Sequence, residues 1–298
     1  MTRTAPPRRL VYLGTPEIAV PPLLALVDAG FDIALVVTRV DKRRGRGSQL
    51  MPSPVKAAAI EVGLAVSHSV EDVLGVRADL GVVVAFGQLI KPHVLAAVPM
   101  VNLHFSLLPR WRGAAPVERA LLGGDAETGV CLMQLEAGLD TGPVYRCQTL
   151  PIGTSTTASE LRRDLVEVGT RLLVDELRAG LDVPHPQVGE PTYAAKIHAD
   201  DLRIDWARSP SDVDRLVRLG GAWTTLHGRR LKLVAAEVID AAAPISNELR
   251  GDRIGGLRVV EVQPEGRAPM PFEAFARGAR LAEVELLGAS GAGSVNDR

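Results

Sequence analysis

Two polar side chains interrupt the apolar run Met100-Val101-Asn102-Leu103-His104. Strand side chains alternate between faces, so Asn102 and His104, two residues apart, share one of them. Pro109 and Gly113 then turn the chain out of the sheet, and Pro116 suits the first turn of a helix. The pair therefore stands at the carboxyl end of a strand. An amide can donate to an oxygen that is gaining negative charge, and an imidazole can move a proton near neutral pH. Together they make half of an acyl-transfer site. A hydrogen-bonded core histidine beside a turn-forming asparagine has the same spacing, and spacing alone does not choose between the two.

The elements that must position this pair alternate between strand and helix. Leu10–Leu13 reads as a strand ending in the turn Gly14-Thr15-Pro16-Glu17, with a helix after it that Gly30 stops. The turn carries one glycine rather than Gly-x-Gly-x-x-Gly, so no nicotinamide or flavin cofactor is expected. Residues 31–38 and 79–86 read as buried strands. Ser53-Pro54 caps a helix over 55–61, and 91–98 and 116–122 read as further helices. Strands are expected at 130–135 and 144–152, joined by the loop 136–143. A capping box, Thr157-x-x-Glu160, opens a long amphipathic helix that ends at Gly180. Three prolines in 182–191 read as a linker. Beyond it come a helix over 211–219 and short strands at 223–226, 231–238 and 257–262, the pattern of a small β-barrel. The resulting division is 1–182, a linker at 183–200, and 201–298.

Composition narrows the class. With 298 residues, 46% hydrophobic and 23% charged, the chain is ordinary globular material with room for two cores. A net charge of −1 means that a nucleic acid would have to be met by a local patch rather than by bulk charge. One such patch is Arg39–Gln49, where five cations stand against one acid with no apolar periodicity. This reads as a solvated loop suited to a phosphate-bearing partner. Cys131 and Cys147 are too few for a disulfide framework and fit a reducing cytoplasm as small core residues. No third ligand accompanies the histidine and acids in metal-site spacing. Neither a signal peptide nor a membrane span is legible.

With these residues laid out, the chain resembles the methionyl-tRNA formyltransferase family over nearly its full length. The resemblance rests on Gly14-Thr15-Pro16-Glu17, Gly45-Arg46-Gly47, Pro52-Ser53-Pro54-Val55-Lys56, and Asn102-x-His104-x-Ser106-Leu107-Leu108-Pro109-Arg110-Trp111-Arg112-Gly113-Ala114-Ala115-Pro116. It also rests on Leu139-Asp140-Thr141-Gly142 and, for the second domain, Thr192-Tyr193-Ala194-Ala195-Lys196 and Arg203-Ile204-Asp205-Trp206. Asn-x-His-x-Ser-Leu-Leu-Pro with a later Asp is shared with folate-dependent enzymes that formylate sugar nucleotides, the alternative reading. Phe86 stands where the family often has Tyr, Phe105 stands where Gly is frequent, and the chain is shorter between Leu219 and Trp223.

The resemblance implies an α/β fold, a Rossmann-like N-terminal formyltransferase domain followed by an OB-like β-barrel that binds tRNA. It implies transfer of a formyl group from 10-formyltetrahydrofolate to the α-amino group of methionyl initiator tRNA by a cytoplasmic monomer. Asn102 would donate to the oxyanion, His104 would assist proton transfer, and Asp140 would orient the imidazole and stabilise a positive charge on it. Without the other two residues, Asp140 reads as a turn former. Ser106, Leu107, Leu108, Pro109 and Phe86 would line the folate site. Lys42, Arg43, Arg44 and Arg46 would meet the tRNA.

Overall fold

The computed structural model describes residues 3–44, 49–244 and 246–288. Arg46, on which the expected tRNA contact centred, lies outside the described residues. The chain divides into two compact units: Met1–Ala120 with Ala126–Ile152 and Glu160–Lys196, and Leu121–Asp125 with Gly153–Ser159 and Ile197–Arg298.

The first unit is built from β1 (Arg9–Gly14), α1 (Val20–Asp28), β2 (Asp32–Val37), β3 (Lys42–Arg44), β4 (Gln49–Met51), α2 (Pro54–Glu61), β5 (Val66–Ser67), β6 (Leu80–Val84), α3 (Pro92–Ala97) and β7 (Met100–His104). It continues through β8 (Arg112–Gly113), α4 (Pro116–Gly123), β9 (Glu127–Gln134), β10 (Val144–Pro151), α5 (Ala158–Ala179) and β11 (Tyr193–Ala194). Its main sheet runs β10-β9-β7-β6-β1-β2-β5. The strands from β7 to β5 are parallel, and β9 and β10 are antiparallel additions.

Both faces of this sheet are covered, which is why its strands read as unbroken apolar runs. Leu10, Tyr12, Val82, Val101 and Leu103 face one core, while Val11, Leu13, Val83 and Met100 face the other. Each such side chain contributes about 1.5–3 kcal/mol on burial, so register is held tightly. Strand alternation then sends Asn102 and His104 to the same face as Met100. The helices start where the sequence says they should: Ser53 Oγ accepts from Lys56 N at 3.0 Å. Leu161, Leu165, Leu173 and Leu177 form the buried stripe of α5.

The second unit contains α6 (Pro210–Leu219), β12 (Trp223–Leu226), β13 (Arg229–Val238), β14 (Glu248–Arg250), β15 (Arg253–Ile254), β16 (Leu257–Pro264), β17 (Met270–Pro271), α7 (Phe272–Ala279) and β18 (Glu285–Leu286). Its strands form one antiparallel sheet, β12-β13-β16-β15-β14-β18 with β17 on β16, a nearly closed barrel. Ile204, Val213, Leu233, Val259, Val262 and Phe272 fill it. Ser209 caps α6, its Oγ accepting from Asp212 N at 3.2 Å.

Three expectations are corrected. Cys131 and Cys147 are bonded to each other rather than free core residues. They face each other in the antiparallel β9–β10 register with Cα atoms 4.1 Å apart, and Cys147 is exposed. Counting cysteines did not reveal that alignment. The basic segment is not all loop, because β3 and β4 pair antiparallel, Lys42 with Met51 and Arg43 with Leu50. Leu50 and Met51 are exposed, so backbone bonds rather than packing hold this ladder, which is why no periodicity announces it. Finally, residues 183–196 are not a free linker. His185 bridges to Val144, and β11 pairs parallel with β8, so Thr192–Lys196 belongs to the first unit rather than to the barrel.

Candidate active site

The parallel strands deliver their carboxyl ends to one edge of the sheet. From β1 the sheet grows toward β2 in one direction and toward β6 in the other, and a crevice opens where the connections diverge. Thr15, just after β1, crosses it by donating from Oγ1 to the carbonyl of Phe86, just after β6, at 3.2 Å. Behind Thr15 the buried Tyr12 hydroxyl donates to Ala19 O at 2.6 Å and pins the turn into α1. Burial pushes that hydroxyl well above its usual range and keeps it a donor.

One strand beyond β6, at the end of β7, stand Asn102 and His104, and the loop after β9 brings Asp140 to them. Asn102 Nδ2 donates to Asp140 Oδ1 at 3.5 Å, and His104 Nδ1 lies 3.7 Å from Asp140 Oδ2. Gly113 N donates to the same Oδ2 at 2.8 Å. The side chains of His104 and Asp140 are only 6% and 12% exposed, so their interaction is little screened. His104 Nε2 sits 3.0 Å from Trp111 O. A carbonyl only accepts, so Nε2 carries a proton and Nδ1 faces the carboxylate. Asn102 is half-buried and its amide has a second N–H to offer.

Backbone strain gathers at the same place. Ala85, Trp111 and Asp140 hold φ values of 45°, 61° and 50°, a region that non-glycine residues enter at a cost of about 1–3 kcal/mol. The surroundings supply the compensation. Gln187 Nε2 donates to both Asp140 O and Gly142 O at 2.8 Å, while its Oε1 accepts from Arg112 Nε and Nη2 at 3.0 and 2.6 Å. Trp111 N donates to Thr192 Oγ1 at 2.8 Å. Gly113 is required where β8 meets β11: its φ is +121°, and a Cβ there would lie 2.9 Å from Ala194 O.

The expected residues divide into two groups. Asn102, His104 and Asp140 come together. Ser106 is fully buried, with its hydroxyl donating to Arg110 O at 2.6 Å, so only the backbone of that turn is free to meet a ligand. Leu107 packs against Gly129, and Leu108 and Pro109 are half-buried. The ring of Phe86 belongs to one core and that of Phe105 to the other, leaving the Phe86 carbonyl as that residue's part of the crevice. Lys42 and Arg43 are exposed on β3, and Arg44 ends the same strand. Sequence reasoning missed Gln187 and the Trp111 carbonyl, and it assigned Thr192 to the second domain rather than to this site. A glutamine among prolines carries no signal, and a carbonyl carries none at all. Among the described residues no three His, Cys, Asp or Glu side chains gather as a metal-binding group. No helix among them is long and apolar enough to cross a membrane.

Comparison with known proteins adds an independent line. Residues 8–177 match the family model described as formyl transferase, and residues 196–280 match formyl transferase, C-terminal domain. The chain is 42% identical to the methionyl-tRNA formyltransferase of Roseobacter denitrificans, covering 93% of this chain and 98% of that one. It is likewise 42% identical to the Clavibacter sepedonicus enzyme of the same name, over 93% of this chain and 99% of the other. Among solved structures, an N-formyltransferase from Helicobacter canadensis, bound to folinic acid and dTDP-3-aminofucose, superposes with a TM-score of 0.65. It covers 86% of this chain and 99% of that one at 16% identity, a likeness of fold alone.

Proposed function

The chain belongs to the methionyl-tRNA formyltransferase family, and from that premise we propose that it transfers the formyl group of 10-formyltetrahydrofolate to the α-amino group of methionyl initiator tRNA. The observation that carries the chemistry is the convergence of Asn102, His104 and Asp140 at the carboxyl end of β7. The nucleophile is the acceptor's own amine, so no serine or cysteine nucleophile is required. As the amine attacks the formyl carbon, negative charge grows on the formyl oxygen, and the second N–H of Asn102 meets it. The amine must shed a proton and the leaving folate nitrogen must gain one. With Nε2–H held by Trp111 O, the unprotonated Nδ1 of His104, 3.7 Å from Asp140 Oδ2, is the imidazole atom left to take that proton and pass it on. Asp140 is the positioning residue: it holds both the amide and the imidazole, and Gly113 N and Gln187 hold it.

The folate donor meets the backbone of Ser106–Pro109 and the Phe86 carbonyl. The acceptor arm meets the β3–β4 ladder through Lys42, Arg43, Arg44 and Arg46. The barrel joins in RNA binding, supported by a row of side chains in register across it. Arg203 bridges to Trp223, Trp223 pairs with Lys232, and Lys232 pairs with Gln263. The Arg203 and Arg230 guanidinium carbons lie 5.7 and 4.2 Å from the Trp223 ring centroid. An aromatic set among cations suits a nucleic-acid backbone and its bases. The enzyme works as a cytoplasmic monomer, beside its acceptor.

Single-turnover transfer from the folate donor to methionyl initiator tRNA, with amino-sugar nucleotides as competitors, tests this reading. Transfer to the tRNA, unaffected by the sugar nucleotides, is the expected result. Formylation of the sugar nucleotide with no transfer to tRNA would overturn it.

A further inference from the structure

The crevice edge carries a second feature that the formyl-transfer chemistry leaves unused. Thr15, Arg39, Val40, Lys42, Met51 and Ser53 line a cavity of about 180 Å3 beside the ends of β1 and β2. None of the six is acidic. The nearby acid, Asp41, is already taken, because Lys56 Nζ meets its two oxygens at 2.9 and 2.8 Å. Arg39 gives one N–H to Gly87 O and has four more. Lys42 has no ion pair among the described residues. The floor is firm: Thr38 Oγ1 and Ser53 Oγ, both buried, share a hydrogen bond of 2.7 Å that ties the end of β2 to the start of α2. Arg39 and Lys42, two cations without counter-ions among the described residues, on a rigid base make a cradle for one anion, while Thr15, whose hydroxyl proton goes to Phe86 O, only walls it.

Distance says which anion. Thr15 follows β1 and Arg39 follows β2, two and three strands from β7 in the sheet order. At about 4.8 Å per strand the cradle lies roughly 10–14 Å from Asn102 and His104. In an aminoacyl-tRNA, eight bonds run from the α-amine through the ester and ribose to the 5′-phosphorus of the terminal nucleoside, and extended they span about 10 Å. We propose that the cavity lined by Thr15, Arg39 and Lys42 is the subsite for the phosphate on the 5′ side of the acceptor's terminal nucleoside. It rests on the formyl-transfer reading above and adds a ruler to it: with that phosphate seated, the α-amine reaches the end of β7. Arginine's fork suits two phosphate oxygens at once.

The test compares 3′-O-methionyladenosine with its 5′-phosphate as competitors of methionyl-tRNA formylation by the full chain. The wild type should bind the phosphate-bearing competitor about tenfold or more tightly, as expected for a charge-assisted contact. Arg39→Gln removes the charge and keeps an amide to reach Gly87 O, so folding and folate affinity should hold. Its preference for the phosphate should shrink toward unity, and Arg39→Lys should recover part of it. Equal inhibition of the wild type by both competitors overturns the subsite while leaving formyl transfer intact. So does a preference that Arg39→Gln leaves unchanged. A weakened folate donor in Arg39→Gln, with the phosphate preference intact, would reassign the cradle to the donor's carboxylates. Failure of the wild type to formylate methionyl-tRNA at all would instead remove the reading on which the subsite rests.

Discussion

At the level of single residues, the site places one carboxylate under several donors, and each donor predicts a different loss. Asn102→Ala removes the proposed oxyanion donor, and such a donor is worth about 10²–10³ in rate. His104→Ala removes the proposed proton relay, worth about 10²–10⁴. Asn102 is half-buried and its variant should fold, whereas His104 is buried, so the folded fraction of its variant is measured alongside its rate. Asp140→Asn should lose activity as well, since a neutral amide cannot stabilise an imidazolium. Single-turnover rates like those of the wild type in any of these variants would take that residue out of the mechanism. Gln187 makes the sharper case, because it touches no substrate in the proposed chemistry. Gln187→Ala releases the carbonyls of Asp140 and Gly142 and frees Arg112. A loosened Asp140 should lower kcat by up to about 100-fold, the scale of an ångström misplacement, with the folate KM little changed. Gln187→Glu keeps the acceptor for Arg112 but sets a carboxylate against two carbonyls, so it should not rescue. An equal fall in thermal stability and in residual folded fraction, with kcat per folded molecule unchanged, would reduce Gln187 to a structural clip.

At the level of elements, strands and helices with enough residues to show a period were legible: β6, β7, α2 with its Ser53 cap, and α5 with its leucine stripe. Elements of two or three residues were not, because alternation needs more length than β8, β11 or β15 offer. The convergence of Asn102, His104 and Asp140 was legible because their polar atoms interrupt apolar runs or sit among glycines. Its supports, Gln187 and the Trp111 carbonyl, come from a proline-rich stretch and from the backbone, where no side-chain pattern exists. The cysteines teach the same lesson through register. Cys131 lies opposite Cys147 on one side and opposite His104 on the other, so all three share one row across β10, β9 and β7. His104 nevertheless takes its own partners from Trp111 and Asp140. Reduction should therefore leave kcat unchanged while lowering stability. A loop of 16 residues sets the scale at about 3 kcal/mol in the chain-entropy account, an upper figure for a ladder already held by backbone bonds. Denaturation with and without reductant, alongside activity, checks it. A kcat that falls on reduction would show that the row, not only the ladder, depends on the link. The β3–β4 ladder predicts its own result. Exposed and basic, it should be cut by trypsin in the free enzyme and protected by methionyl-tRNA, and equal cutting rates with and without tRNA would remove it from the RNA site.

At the level of the whole molecule, the decisive quantity is how little net charge there is. A chain at −1 gains nothing from bulk attraction to a polyanion. Any affinity for tRNA must then come from local sets of cations, and those assigned to it above are the root of the β3–β4 ladder and the Arg203–Trp223–Lys232 row of the barrel. Local contacts of this kind are countable by salt. Each phosphate neutralised releases counter-ions and contributes a slope of about −0.7 to −0.9 to log affinity against log salt. The KM for methionyl-tRNA should therefore rise steeply with salt, while the KM for the folate donor, whose proposed contacts are mostly backbone, should stay nearly flat. Replacing Arg203 and Lys232 together by glutamine should flatten the tRNA slope by about 1.4–1.8, the share of two lost phosphate contacts, and raise KM at low salt more than at high salt. The folate KM and the single-turnover rate at saturating tRNA should not move. If the double variant keeps the full slope, the barrel row is a solvated surface and the cations of the first unit account for tRNA affinity without it.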